Sequence, residues 1–457
     1  MHRGSSNPWA GVSEFFHVYG HPRVVVVLFL GFSSGLPLAL TFGTLSLWLS
    51  ESGVSKTSIG LFALTGIPYT FKFLWAPLVD RLPIPWLTAA FGRRRSWALA
   101  TQFFLILSIA AMGLSHPERL PWWTALFALC TAFWSATQDI VIDAYRVEIL
   151  DAELYGAGAA VVVLGYRLGM LASGALALYL ATWFGWTTTY LMMAGLMSVG
   201  MVTVLFAPEP VVPVSGASLR LEKRMRARIA TFDRLGGVGR RFALWFSGAV
   251  IGPFAEFLTR RGWMQVLLFI LLYKLGDALA GVMGNPFYSE LGFTRIEIAE
   301  ISKVVGLTAT IVGAFLGGWM VKRLGIMRSL LWCGLLQLAS NLMFVVLARS
   351  GHDMLVFTLT ILIENLSGGM GTAAFVAYLS SLCNIAYTAT QYALLSSFMA
   401  FGRTILSSGG GWLADQMSWV LFFLLTTAAA IPGLLLLAWM IKKFPPDATH
   451  STLDGVD

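Results

Sequence analysis

Long apolar runs separated by short polar breaks dominate the chain. Crossing a hydrocarbon layer about 30 Å thick takes about 20 mostly apolar residues as a helix. Windows of that size predict helices over 24–49, 57–80, 97–114, 121–145, 156–183 and 187–207. A polar stretch over 208–261 follows, and then six more apolar runs over 263–288, 297–321, 327–348, 354–383, 388–414 and 418–441. The polar stretch opens with Pro208, Pro210 and Pro213 and carries a basic run that includes Arg220, Lys223, Arg224, Arg226 and Arg228. It reads as a linker between two membrane halves, with the boundaries 1–207, 208–261, 262–441 and a tail over 442–457. The expected class is an all-α membrane protein with twelve transmembrane helices in two pseudo-symmetric six-helix bundles.

One apolar stretch, 242–258, is short, contains Pro253 and is bracketed by Arg240–Arg241 and Arg260–Arg261. Charge decides how it is read. With twelve spans and both termini cytoplasmic, 22 of the 31 Lys and Arg residues fall on the inner side and only Lys56, Arg119, Arg295 and Arg349 outside. A thirteenth span would carry Lys322, Arg323 and Arg328 outward, against the preference of basic loops for the cytoplasm. The stretch is therefore expected to lie on the inner leaflet as an interfacial helix.

The two sixes resemble each other in order. SGVSKTSI (52–59) is matched by LGFTRIEI (291–298), and PLVDRL (77–82) by GWMVKRLG (318–325). GYRLGMLASG (165–174) and FGRTILSSGG (401–410) each place an arginine seven residues before a glycine. A duplicated six-helix unit is a transporter architecture, and its solute site is expected between the halves near the membrane midplane.

Composition supports this reading. Hydrophobic residues make up 57% of the 457 and charged residues 12%, against about 25% charged in a typical soluble chain. That excludes a soluble enzyme and a disordered chain. The net charge of +8 then reports orientation, not affinity for nucleic acid. Cys130, Cys333 and Cys383 lie far apart in apolar runs and read as small buried hydrophobes. No phosphate loop, metal signature or catalytic triad spacing is present, so no enzyme activity, metal or cofactor is expected. All six histidines fall outside the apolar runs, which leaves any proton work to carboxylates.

Ionisable residues inside the runs carry the candidate chemistry. Lys72, Asp139, Asp143, Arg167, Lys274, Asp277, Glu364 and Arg403 would each cost about 2.5–3.5 kcal/mol at a helix centre, so they are expected to face a wet interior. Asp139 and Asp143 are four apart and share a helix face. Lys274 and Asp277 are three apart and can pair. Asp139, Asp143, Asp277 and Glu364 are the candidate proton carriers, because neighbouring carboxylates hold one proton between them more tightly. The same charges can also simply neutralise one another and hold helices in register. Asp80–Arg81 at one helix end and Arg93–Arg94–Arg95 at the start of the next form a candidate gate. Clusters such as Gly368–Gly369–Met370–Gly371 read as close helix packing.

The chain resembles the AmpG-type muropeptide permeases of the major facilitator superfamily. The resemblance rests on LGFSSGLPLALTFGTL (30–45), FKFLWAPLVDR (71–81), GRRRSW (92–97), SATQDIVIDAY (135–145) and GAGAAVVVLGYRLGMLASG (156–174). LLYKLGDALA (271–280), ENLSGGMGTAAFVA (364–377) and ATQYALLSS (389–397) extend it into the second half. It implies the major facilitator fold in a bacterial inner membrane. It also implies proton-driven import of N-acetylglucosaminyl-1,6-anhydro-N-acetylmuramyl peptides for peptidoglycan recycling, a process linked to β-lactamase induction. Some members carry two further C-terminal helices, and this chain is expected to end after the twelfth.

The expected partners are the muropeptide, protons and membrane lipid, with the protein a monomer. For such a cargo Lys72, Arg167, Lys274 and Arg403 can hold carboxylates. Gln138, Asn365 and Gln391 can hydrogen-bond amides and hydroxyls, and Trp75, Tyr166 or Tyr273 can stack on a sugar face. Two rival readings are a non-transporting membrane assembly factor and a facilitator for another anionic solute such as acetyl-CoA.

Overall fold

The computed structural model describes residues 17–54, 62–211, 252–260, 262–408 and 410–443, and every regular element among them is a helix. Contacts divide the chain into two units. The first is Met1–Pro213 with Cys383–Ala393, and the second is Val214–Leu382 with Leu394–Asp457. The termini and most of the expected interfacial stretch 242–258 lie outside the described residues. Of that stretch only the helix Gly252–Thr259 is described.

In the first unit α1 (Pro22–Thr41) begins with proline in its first turn, where no backbone donor is needed, and the His21 ring accepts from the Arg23 amide. α2 (Gly43–Glu51) follows after Phe42, whose φ of −122° and ψ of −95° lie outside the helical region. The expected single helix over 57–80 is corrected by the structure. Its described part is a 3-10 turn at Phe62–Gly66, α3 (Ile67–Phe71), a second 3-10 turn at Lys72–Leu74 and α4 (Ala76–Arg81). Pro68 and Pro77 each start a new segment, because proline lacks the donor that an uninterrupted helix requires.

α5 (Arg93–Gly113), α6 (Pro121–Ile149), α7 (Tyr155–Leu171), α8 (Ala177–Leu196) and α9 (Ser198–Phe206) complete the unit. A π-turn at Ala172–Leu176 joins α7 to α8, and Gly185, at φ 75°, breaks α8 where the expected spans 156–183 and 187–207 meet.

The second unit holds α10 (Gly252–Thr259), α11 (Trp263–Tyr273), α12 (Leu275–Glu290), α13 (Gly306–Leu324), α14 (Ile326–Ser350), α15 (Met354–Ser381), α17 (Gly410–Gln416) and α18 (Trp419–Lys443). The division between units falls within α16 (Thr388–Ser408), after Ala393. Among the described residues nine helices are long and apolar enough to cross a membrane. The Ala152–Phe206 run, at 55 residues, contains the Gly185 break.

Lipid cannot drive apolar helices together, so backbone approach must. In the first unit Gly31, Gly35, Gly165 and Gly169 lie where α1 meets α7. A Cβ on Gly35 would strike the Tyr166 carbonyl, and one on Gly165 the Leu28 carbonyl. The second unit repeats the device between α13 and α15. There a Cβ on Gly313 would strike the Leu366 carbonyl and one on Gly369 the Thr310 carbonyl. Large side chains fill the remaining interior. Leu36, Leu40, Trp48, Tyr190 and Met193 pack in the first unit, and Phe287, Phe344, Phe357, Phe422 and Phe423 in the second. Large apolar groups on the outside, among them Trp122, Phe206 and Leu355, suit a lipid-facing surface.

Candidate functional site

Among the described residues, the most deeply buried ion pairs gather around Arg94, the second residue of α5. Its guanidinium donates to Asp80 Oδ1 at 2.7 Å, to Glu148 Oε2 at 2.8 Å and to the Val79 carbonyl at 3.3 Å. Side-chain exposure is 1% for Arg94 and Asp80 and 0% for Glu148. Asp80 also accepts from the Ala389 amide at 3.2 Å, the Thr390 amide at 2.8 Å and the Thr390 hydroxyl at 2.6 Å. It therefore sits on the unpaired donors at the start of α16, where the helix dipole favours an anion.

The expected gate is reorganised in detail. Asp80 pairs with Arg94, while Arg81 lies over the Tyr387 ring at 5.4 Å. Arg93 donates to the Asp80 backbone carbonyl at 2.6 Å, and Arg95 donates to the carbonyls of Val204 and Leu205, at the end of α9. Glu209 completes the group by accepting from the amides of Arg94 and Arg95 at 2.8 and 3.0 Å, which caps α5.

A looser group lies nearby in sequence. Lys72 sits in the 3-10 turn between α3 and α4, and its ammonium lies 3.9 Å from Asp143 Oδ2. Asp143 also meets Arg146 at 3.3 Å, and Arg146 lies over the Tyr392 ring at 5.2 Å. One turn before Asp143, Asp139 accepts a hydrogen bond from the Ser34 hydroxyl. Trp75 donates to the Thr137 hydroxyl at 3.0 Å and packs its ring 5.0 Å from Phe133. Tyr166 is half-buried and Arg167 is exposed. Gln138 differs from its expected role. It is fully buried, donates to the Ser33 carbonyl at 2.9 Å and accepts from the Ser33 hydroxyl at 3.2 Å. Both ends are engaged in joining α6 to α1.

The second unit holds a parallel arrangement. Lys274 falls at the break between α11 and α12, with its ammonium 3.1 Å from Asp277 Oδ2. Gln337 of α14 donates to the same oxygen at 2.6 Å. Three residues on, the Ser340 hydroxyl stands 2.7 Å from Glu364 Oε2. Asn365 donates to the Ile361 carbonyl at 2.9 Å and accepts from the Thr310 hydroxyl at 3.1 Å. Tyr273 is a core residue, not an open stacking platform. Its hydroxyl donates to the Leu330 carbonyl at 2.9 Å and its ring stacks on Phe375 at 5.4 Å. Arg403 is exposed. Gln391 belongs with the first unit, buried, and accepts from the Asn384 amide at 2.7 Å.

The structure thus brings Lys72 to Asp143 and Lys274 to Asp277, and leaves Arg167 and Arg403 without an ion-pair partner among the described residues. Sequence reasoning missed Glu148, Glu209, Ser34, Gln337 and Ser340. Glu148 carried a signal: an acidic side chain five residues after Asp143 in the same apolar helix has the same insertion cost. No cluster of three or more metal-ligating side chains occurs among the described residues.

Comparison with known proteins follows from this geometry. The family model described as Major Facilitator Superfamily matches residues 27–384 and 266–455. The anhydromuropeptide permease of Escherichia coli K12 is 44% identical over 429 residues, covering 93% of this chain and 81% of the relative. The putative transporter AmpG 4 of Rickettsia felis is 36% identical over 436 residues, covering 94% and 99%. Two solved structures share the fold at low identity. A bacterial homologue of the iron transporter ferroportin, in an outward-facing state, has a TM-score of 0.64 at 14% identity, covering 93% of this chain and 99% of its own. The major facilitator transporter FucP, in the outward conformation, has a TM-score of 0.64 at 12% identity, covering 92% and 99%.

Proposed function

The chain belongs to the AmpG-type permeases of the major facilitator superfamily, and from that premise we propose that it imports anhydromuropeptides from periplasm to cytoplasm in symport with protons. The observation that carries the reading is the set of partly exposed ion pairs inside apolar helices. Lys72–Asp143 and Lys274–Asp277 keep 10–24% side-chain exposure, which is where a cargo bearing several carboxylates can compete for the lysines. Arg167 and Arg403, exposed and unpaired among the described residues, supply two more cations. Trp75 and the half-buried Tyr166 supply ring faces for the sugars, while amides are met by Asn365 and Gln391 after rearrangement of their present bonds.

In the cycle we propose, Asp139, Asp143, Asp277 and Glu364 are the groups that exchange protons. The Asp80–Arg94–Glu148 group, with Arg81, Arg93 and Arg95 around it, holds one access state. The chain crosses a bacterial inner membrane twelve times as two six-helix halves joined by 208–261. Both termini are cytoplasmic and the protein works as a monomer. The broken segment 57–80 and the α16–α17 segment supply crossings beyond the nine uninterrupted apolar helices.

The test is uptake of a labelled disaccharide anhydromuropeptide into proteoliposomes. Accumulation should collapse when a protonophore removes the gradient. Undiminished accumulation without a gradient ends the symport reading, and no uptake at all ends the cargo assignment.

A further inference from the structure

Resting on the proton-coupled reading, we infer that Ser340 and Asn341 of α14 form a proton switch for Glu364, with Asn341 holding a single buried water between the second unit's carboxylates. The argument begins with proton counting. The Ser340 hydroxyl lies 2.7 Å from Glu364 Oε2 and 2.8 Å from the Gln337 carbonyl. Both are acceptors when Glu364 is ionised, and a serine carries one hydroxyl proton. Ser367 does not add a donor to Glu364 Oε2, because its own hydroxyl faces the Glu364 backbone carbonyl and Ser340 Oγ, each at 3.0 Å.

Two arrangements therefore satisfy the same coordinates. With Glu364 ionised, Ser340 donates to it. With Glu364 protonated, the acid donates to Ser340, which turns its proton to the Gln337 carbonyl. Gaining or losing one proton at Oε2 is matched by rotation of one hydroxyl, and no bond but O–H is made or broken.

Asn341 gives the proton its route. The residue is fully buried, and neither Nδ2 nor Oδ1 of its carboxamide has a hydrogen-bond partner among the described residues. Leaving a buried polar group unpaired is costly, and such groups are the usual seats of internal water. The carboxamide abuts Gly276, where Nδ2 would lie 3.4 Å from a Cβ, immediately before Asp277. The ligand chemistry follows from the two free atoms. A metal cation would satisfy Oδ1 and leave the Nδ2 donor unpaired, whereas one water accepts from Nδ2 and donates to Oδ1.

Gln337, Ser340 and Asn341 thus lie within about one turn of α14. Gln337 reaches Asp277 and Ser340 reaches Glu364. The charged or titratable groups whose fields act on Glu364 are Asp277 and Lys274, and it acts in turn on Tyr288. Asp277 Oδ2, which accepts from both Lys274 and Gln337, is the far end of the relay.

The experiment compares two readouts in proteoliposomes made from the full chain. One is accumulation of the labelled anhydromuropeptide driven by an imposed proton gradient. The other is gradient-free counterflow, which needs cargo movement but no net proton transfer. Ser340→Ala and Asn341→Leu should each lower accumulation at least tenfold while counterflow stays within about twofold. Ser340→Thr, which restores the hydroxyl, should recover accumulation. A purely structural role would lower both readouts together.

Wild-type accumulation that ignores the gradient overturns the symport reading and this inference with it. Gradient-driven wild type with an unchanged ratio in Ser340→Ala and Asn341→Leu overturns the inference alone. If Asn341→Leu does not fold, a high-resolution structure of the wild-type protein decides the water. Density within hydrogen-bond reach of both Asn341 atoms supports it, and a dry carboxamide overturns it.

Discussion

Replacing Arg94 with Met probes the most buried ion pairs among the described residues. The substitution keeps length and apolar volume but removes the guanidinium bonds to Asp80, Glu148 and the Val79 carbonyl. The two carboxylates feel the loss differently. Asp80 keeps the two α16 amides and the Thr390 hydroxyl. Glu148, with a side chain 0% exposed, keeps no hydrogen bond among those described. The cost therefore falls on one uncompensated buried carboxylate, and breaking a buried pair in this way destabilises by about 3–5 kcal/mol. Removing the second partner reverses the logic. Replacing a complete buried ion pair with well-packed apolar side chains is commonly neutral or stabilising, so Arg94→Met with Glu148→Leu should recover to within about 1 kcal/mol of the wild type. The assay is reversible unfolding by a denaturing detergent in mixed micelles, run on both single variants and the double. A single Arg94→Met within about 1 kcal/mol of wild type, or a double variant no better than the single, refutes the assignment of Glu148 as the partner at risk.

Other substitutions test separate parts of the structure. Asp139→Asn keeps a hydrogen bond to Ser34 available, so folding should survive while gradient-driven accumulation is lost; unchanged accumulation removes Asp139 from the proton path. Gly165→Val drives a side chain into the Leu28 carbonyl and should abolish folded yield on size exclusion, whereas Gly174→Ala, with nothing within 4 Å of its Cβ position, should express normally. Gln138→Leu removes the side-chain donor to the buried Ser33 carbonyl and should lower stability by about 1–3 kcal/mol without a selective loss of cargo affinity. Lys274→Gln removes the cation proposed to hold a cargo carboxylate and should raise the dissociation constant roughly 10- to 100-fold, measured by ligand-dependent thermal shift.

Much of the architecture was legible because hydrocarbon permits so few solutions. An apolar run of crossing length with polar ends has to be a helix, and Gly185 breaks the 55-residue run where the sequence placed a turn. The segment over 57–80 was misread at the level of the helix. Its apolar count satisfied the length rule, but Pro68 and Pro77 divide its described part into short pieces and put Lys72 in a 3-10 turn. The candidate charges were visible from their insertion cost. Their partners were not, because Ser34, Gln337 and Ser340 are ordinary residues in apolar helices until the fold sets them against carboxylates. Glu148 lies just beyond the apolar run read over 121–145, and the structure buries its side chain against Arg94. The resting bonds of the amide side chains were hidden for the same reason: in a dry interior, Gln138 donates to the Ser33 carbonyl and Asn365 to the Ile361 carbonyl.

Two grades of ion pair occur inside one apolar fold. Arg94 is held by geometry that cargo could not improve: a fork of short bonds to two carboxylates, almost no solvent exposure, and a helix start completing the coordination of Asp80. Competing for that guanidinium would mean leaving Glu148 buried and bare. Lys72 and Lys274 present the opposite case. Each sits where its helix is interrupted, each faces one aspartate at 3.9 or 3.1 Å, and each pair retains contact with solvent. Partly solvated lysine pairs contribute little net stability, so exchanging the aspartate for a cargo carboxylate costs little. That asymmetry is what supports the proposal of conformational holding by the arginine cluster and cargo exchange at the lysines, and it rests on exposure and bond number without reference to sequence position.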